Sequence, residues 1–381
     1  MSNSIRVVSW YIQLTAIAIT LVVSLVLGEL GLRLLTDFPI SELSNRSPDP
    51  LLGYRLDTSM NDVDQNGFRN SAQNYEVAAI GDSHTYGNNA TSEQSWPKQF
   101  QKLTGAKTYN FGVGSYGVAS YHMLLVKTLK DQSKIAIVAL YPENDFLPKW
   151  SFCDIDFGRE EWVEEETRLG INLKPIASSC ESGKFKKISW SKWFSQKLAV
   201  VSAVQTLVIK PLSRNFSGKI DLLSFPNGLP MIARRNDVPP SNVGAKTPEV
   251  AQLVNAFRSM TADWKKKWPG RVGILLISSR ERVYYQILQE DGLLLAADAQ
   301  FLETTRSEIE MQQIAGKALA DAGIETINTL PYLVAGQRKA MLEKSSLYGI
   351  GDGHPLAPGY VIYAQAAAEL YNRMKDVSPS D

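Results

Sequence analysis

A serine hydroxyl is a weak nucleophile until a base takes its proton, and that base must itself be oriented and supported as a cation. The 381-residue sequence offers few candidate bases, because it contains only three histidines: His84, His122 and His354. His84 adjoins Ser83, and neighbouring side chains on a tight turn diverge. His122 falls in Tyr121-His122-Met123-Leu124, on an expected helix, where a satisfied core or surface histidine is the expected reading. His354 lies in Gly351-Asp352-Gly353-His354-Pro355, a loop punctuated by glycine and proline that leads into a helix expected over Tyr360 to Met374. Loops on a rigid scaffold are where catalytic groups concentrate. Asp352, two residues before His354, is placed to hold the imidazole tautomer and support its charge. Ser83 follows Gly81-Asp82 where a short apolar run ends, and Gly81 and Gly87 permit the bend that exposes a hydroxyl. The expected chemistry is acyl transfer through Ser83, His354 and Asp352.

Such a reaction also needs hydrogen-bond donors aimed at the developing oxyanion. Two further turns offer them: the backbone N–H groups of Gly112 to Ser115, and the side-chain amide of Asn144, which has two protons to donate. The Ser83 amide is a third source. Taken singly, Gly-Asp-Ser or Asn-Asp is more often a structural turn than a catalytic one.

The elements that must gather these turns alternate along the chain. Strand-like apolar runs at Tyr75 to Ile80, Ala106 to Phe111 and Ile135 to Leu140 each end in Gly, Asn, Asp or Ser, with helical patterns at Lys98 to Leu103 and Val118 to Leu129 between them. The alternation resumes with a helix near Pro248 to Trp268, a strand at Val272 to Ser278, a helix through Thr305 to Ala322 and a strand at Glu325 to Leu330. That order predicts an α/β fold with a parallel sheet and helices on both faces, its ligand site beyond the carboxyl ends of the strands. Between about 147 and 245 the pattern is lost, and this stretch is expected to be an insertion. An acidic run (Glu160, Glu161, Glu164 to Glu166) and a basic, aromatic one (Lys184 to Trp193) read chiefly as solvated faces, the aromatics leaving room for glycan or membrane-surface contact. Leu198 to Ile209 is apolar, but a dozen residues suit a buried helix better than a span.

Composition narrows the class further. With 44% hydrophobic residues the chain can bury a full core, and Lys+Arg 40 against Asp+Glu 39 leaves no basic field to recruit nucleic acid. Val7 to Gly28 carries no charge and is rich in Val, Leu, Ile and Ala. As a helix it would be roughly 30 Å long, the thickness of a bilayer core. No small-residue cleavage site follows Leu27, so an uncleaved anchor is expected over a cleaved signal peptide. The flanking charges favour the amino end inside and a periplasmic catalytic domain. Cys153 and Cys180 are the only cysteines, both within the atypical stretch, open to reading as one disulfide or as two buried thiols. No cysteine-rich zinc site, other metal site or cofactor motif accompanies them.

In this order the blocks resemble the GDSL/SGNH hydrolase family: Gly81-Asp82-Ser83 after the first strand, Asn110-Phe111-Gly112-Val113-Gly114-Ser115-Tyr116-Gly117 after the second, Pro142-Glu143-Asn144-Asp145 after the third, and Asp352-Gly353-His354-Pro355 near the end. The resemblance covers about residues 75–150 and 270–375. It implies a flavodoxin-like three-layer α/β/α sandwich, a Ser83 nucleophile with Asp352 and His354, and oxyanion donors from the Ser83 amide, a glycine amide and Asn144. Ser115 stands where the oxyanion glycine is usual, with Gly114 just before it, so that donor is left between the two. Pro142 replaces a turn glycine. Glu29-Leu-Gly-Leu-Arg33 and Asn66-Gly67-Phe68-Arg69 are similar to markers of anchored members. The implied organisation is an anchor over 1–35, a linker and lead-in over 36–74, and a hydrolase-like domain over 75–375 with the insertion at about 147–245. The implied function is a serine esterase acting on acyl, chiefly O-acetyl, esters of an envelope carbohydrate, from a single-pass inner-membrane location. An O-acyltransferase served by a membrane acyl-donor protein, and a non-catalytic scaffold or glycan-binding subunit, are the alternatives.

Overall fold

The computed structural model describes residues 15–17, 19–28, 31, 46–69, 74–129, 134–146, 155–174, 222–224, 230–232, 248–297, 299–349 and 353–376. Five strands form one parallel sheet: β1 (Val77–Gly81), β2 (Thr108–Gly112), β3 (Ile135–Leu140), β4 (Val272–Leu276) and β5 (Glu325–Asn328), in the spatial order β2-β1-β3-β4-β5. β1, β2, β3 and β4 are buried along their whole length, which is why they read as continuous apolar runs rather than alternating ones.

Side chains alternate between the faces of this sheet and meet different helices on each. Ala78, Ile80, Val138 and Ile274 join a core with α3 (Val118–Thr128), α5 (Glu160–Leu169), α6 (Pro248–Lys267) and α8 (Ala299–Ala322). Val77, Ala79, Ile137 and Leu275 join a second core with α2 (Trp96–Thr104), α7 (Arg280–Glu290), α9 (Leu330–Leu342) and α10 (Ala357–Asp376). The result is the three-layer α/β/α sandwich. Its strand order reverses beside β1, so the crevice at the carboxyl end of β1 is the topological switch point. Two one-turn helices, α1 (Ser83–Tyr86) and α4 (Pro142–Asp145), sit directly after β1 and β3.

Residues 46–69, expected as linker and lead-in, pack into the first core. Strands Arg46–Asp49 and Gly53–Leu56 pair as an antiparallel hairpin, and Leu51, Leu52, Tyr54, Leu56 and Phe68 are buried. The chain divides into two compact units, residues 46–186 with 219–381, and residues 1–45 with 187–218. Within the second, positions 15–17 and 19–28 are helical, with Ile17, Ile19, Leu21, Val22 and Leu25 exposed. Among the described residues no helix is long and apolar enough to cross a membrane. The expected span over Val7 to Gly28 lies partly outside them, as do Glu29, Arg33, most of the 147–245 insertion, Cys153, Cys180 and Asp352.

Candidate active site

Ser83 is the first residue of α1. Its position follows from Asp82, whose side chain caps the helix by accepting the His84 N–H at 2.9 Å, while Thr85 and Tyr86 N–H groups bond the Asp82 carbonyl. The turn is this tight only because the strands beside it end in glycine. A Cβ on Gly112 would come 2.2 Å from the Tyr86 nitrogen, and one on Gly81 2.2 Å from Thr85 Oγ1. Asn110 fastens the two strand ends further: its amide donates to the Thr85 carbonyl at 3.0 Å and its oxygen accepts the Gly112 N–H at 2.8 Å.

The loop before α10 brings His354 to this point, with Nε2 2.7 Å from Ser83 Oγ. That is the distance and pairing a general base requires. The other two histidines are engaged elsewhere. His84 is buried behind the site, its Nδ1 3.3 Å from the Tyr363 hydroxyl and its ring 4.9 Å from that of His354. His122, on α3, accepts the Trp264 indole N–H on Nδ1 at 3.0 Å and therefore donates from Nε2 to Glu165 at 2.8 Å. Burial holds His122 below the usual histidine range. Against burial, the hydrogen bonds from His122 and Arg168 bring Glu165 down to about 2.

The third turn delivers Asn144 beside the first: its amide donates to Asp82 Oδ2 at 3.1 Å, leaving its second proton for another acceptor. Ser83 Oγ is 3.4 Å from the same Asp82 oxygen. Complete burial pushes Asp82 above the usual carboxylate range, opposed by the His84 N–H, the nearby His354 and the Asn144 amide. Asp145 is also fully buried, bonded by the Tyr121 hydroxyl at 2.9 Å and the Tyr141 N–H at 2.7 Å. Burial, then the charge of Asp82, pushes it further up. Both aspartates brace turns, and Asp82 in addition ties the first turn to the third.

Gly114 and Ser115 occupy the second turn, held to the end of β1 by the Val113 N–H on the Gly81 carbonyl at 3.2 Å. Ser115 has φ +64, the left-handed region that a glycine occupies without strain. The Gly114 carbonyl accepts from Arg46 and from the Tyr54 hydroxyl.

Two buried charged groups have roles that the sequence does not give: Arg69 stands there only as part of a family-like marker, and Glu308 without any signal. Arg69, 1% exposed, pairs with Asp62 at 2.7 Å and donates to the carbonyls of Tyr86, Gly87 and Ala90 just beyond α1. Glu308 on α8 is buried against Ser279, accepting its N–H at 2.9 Å and its hydroxyl, and also accepts the Gln312 amide at 3.1 Å. Burial, with the charge of Glu143, pushes Glu308 up to about 8.

No family model matches the chain, and no curated protein does. Among solved structures it is similar to a protein assigned to the G-D-S-L lipolytic family from Desulfitobacterium hafniense DCB-2, at 10% identity and a TM-score of 0.35, covering 78% of this chain and 99% of the other. A second structure is similar at 11% identity and a TM-score of 0.32, with 78% and 97% covered. Likeness this distant carries no argument about chemistry, which rests on the geometry of the turns.

Proposed function

We propose that the chain is a serine esterase whose nucleophile is Ser83 and whose general base is His354, the observation that carries this being the 2.7 Å contact of Nε2 with Oγ at the switch point of the sheet. In this reading His354 takes the Ser83 proton as Oγ attacks an ester carbonyl. The oxyanion is received by the Ser83 amide, the amide of Ser115 or Gly114, and the free proton of Asn144. His354 then protonates the departing alcohol, and a water activated the same way releases the acid. Asp352 completes the triad by orienting the imidazole.

The substrate we assign is an acyl ester, chiefly O-acetyl, of an envelope carbohydrate. The apolar side chains exposed on the N-terminal helix support an anchor that presents the domain on the outer side of an inner membrane. A fluorophosphonate probe tests the site. Wild type and His84→Ala should label, and Ser83→Ala and His354→Ala should not. Absent labelling of the folded wild type overturns the esterase in favour of a non-catalytic scaffold. Adding a glycan acceptor to an activated ester separates the second reading: acylation of the glycan outrunning release to water establishes an O-acyltransferase.

A further inference from the structure

The lead-in hairpin reaches the second turn with two donors on one atom. Arg46 donates from its terminal nitrogen to the Gly114 carbonyl at 2.8 Å, and the Tyr54 hydroxyl donates to the same oxygen at 2.6 Å. The two side chains support each other, the Arg46 guanidinium lying 3.9 Å from the centre of the Tyr54 ring. Two residues beyond Gly114 the arrangement closes, because the Tyr116 hydroxyl donates back to the Tyr54 carbonyl and the two rings are 5.5 Å apart. Thus the turn and the hairpin are joined in both directions around one peptide group.

That peptide is the one linking Gly114 to Ser115. A trans peptide is planar, so its C=O and N–H point in opposite directions and fixing the oxygen fixes the proton. Donation from a cation to the carbonyl also polarises the group and strengthens its N–H as a donor. The use of such a hold is visible in the backbone: Ser115, at φ +64, occupies a left-handed conformation that carries an energetic cost for a serine. A glycine would rest in this shape without that cost.

We infer that Arg46 and Tyr54 are positioning residues for the esterase, clamping the Gly114 carbonyl so that the Ser115 N–H is aimed and strengthened as an oxyanion donor. This rests on the Ser83 reading, and it resolves the choice between Gly114 and Ser115 in favour of the Ser115 amide. Neither side chain touches substrate; both act through one peptide.

The test uses the full-length chain with p-nitrophenyl acetate and with the fluorophosphonate probe, whose adduct places an oxygen in the same hole. Arg46→Gln and Tyr54→Phe should each lower kcat by about 10- to 100-fold, below the 10²- to 10³-fold loss of a whole oxyanion donor, because the amide remains but is less well aimed. KM should stay constant, the labelling rate should fall in parallel, and Arg46→Lys should recover part of the loss. Since the two donors share one acceptor, the double variant should lose less than the product of the single losses. Should Arg46→Gln fail to fold, Tyr54→Phe decides, as it removes one oxygen from an otherwise unchanged ring. Unchanged kcat in Tyr54→Phe, or a raised KM at constant kcat, overturns the clamp while wild-type labelling keeps the esterase. Loss of labelling in wild type itself is the separate failure of the Ser83 reading.

Discussion

Replacing Asn144 by alanine separates two consequences of one side chain. One proton of its amide is already spent on Asp82 Oδ2 at 3.1 Å, so only the other is free to meet an oxyanion. Removing a single side-chain oxyanion donor costs about 2.7–4 kcal/mol in the transition state, a 10²- to 10³-fold fall in kcat. Removing the bond to Asp82 acts on the ground state instead. A fully buried carboxylate keeps the His84 N–H at 2.9 Å but loses the amide, at a cost of about 1–3 kcal/mol in stability. The two effects are read by different assays: kcat for p-nitrophenyl acetate on folded, titrated enzyme, and the midpoint of urea unfolding. A lowered midpoint with kcat within about threefold of wild type would show that Asn144 only braces Asp82, and the oxyanion argument would be wrong. Asp82→Asn sharpens the comparison, because it sets an amide opposite the Asn144 amide and disturbs its aim without removing it.

Other perturbations follow from the same contacts. Arg69→Met strips a buried cation from Asp62 and three carbonyls next to α1, and unfolding free energy should fall by about 3–5 kcal/mol; a loss under about 1 kcal/mol would contradict the role given to those bonds. Glu308 holds a proton in the folded chain between 4.5 and about 8 that the unfolded chain releases. Stability should therefore decline as pH rises through that window, with a slope approaching about 1.4 kcal/mol per pH unit, and Glu308→Gln should flatten it in urea titrations at several pH values. His122 works in the opposite direction. Below 6.5 the unfolded chain gains a proton that the buried ring, faced by Glu165, Asp263, Arg168 and Trp264, takes up only at lower pH, so stability falls on acidification and His122→Gln should weaken that fall. Ser115→Gly relieves a left-handed serine and should raise the unfolding free energy by up to about 1 kcal/mol; a loss of stability there would argue against strain at that residue.

The parallel sheet was legible because buried strands such as Ala136-Ile137-Val138 are short unbroken apolar runs closed by polar turns and alternate with helical patterns. Strand ends shift by at most two residues, whereas α8 begins at Ala299, six residues ahead of Thr305, and α7 and α9 were not among the expected helices. The Ser83 to His354 pairing was legible because histidine is scarce, which left one candidate on a suitable loop. Asp352 lies outside the described residues, so its part remains a proposal. Harder to read was the lead-in. Leu51, Leu52, Tyr54, Leu56 and Phe68 are buried from turns and two short strands, and such residues show neither a period of 2 nor of 3.6. Arg69 was visible only as part of a family-like marker and Glu308 not at all, since a charged residue reads as surface until its carbonyl and hydroxyl partners, far away in sequence, are seen.

The hairpin also sets where this protein can be cut. A fragment begun at Tyr75, just ahead of the first sheet strand, would lose the apolar residues of the 46–69 segment from the first core and leave a hydrophobic scar where they had packed. The Trp162 indole would lose its acceptor on the Leu51 carbonyl, 2.9 Å away. A fragment that keeps this core intact therefore has to start no later than Arg46, and any replacement of the N-terminal segment must be joined upstream of that arginine.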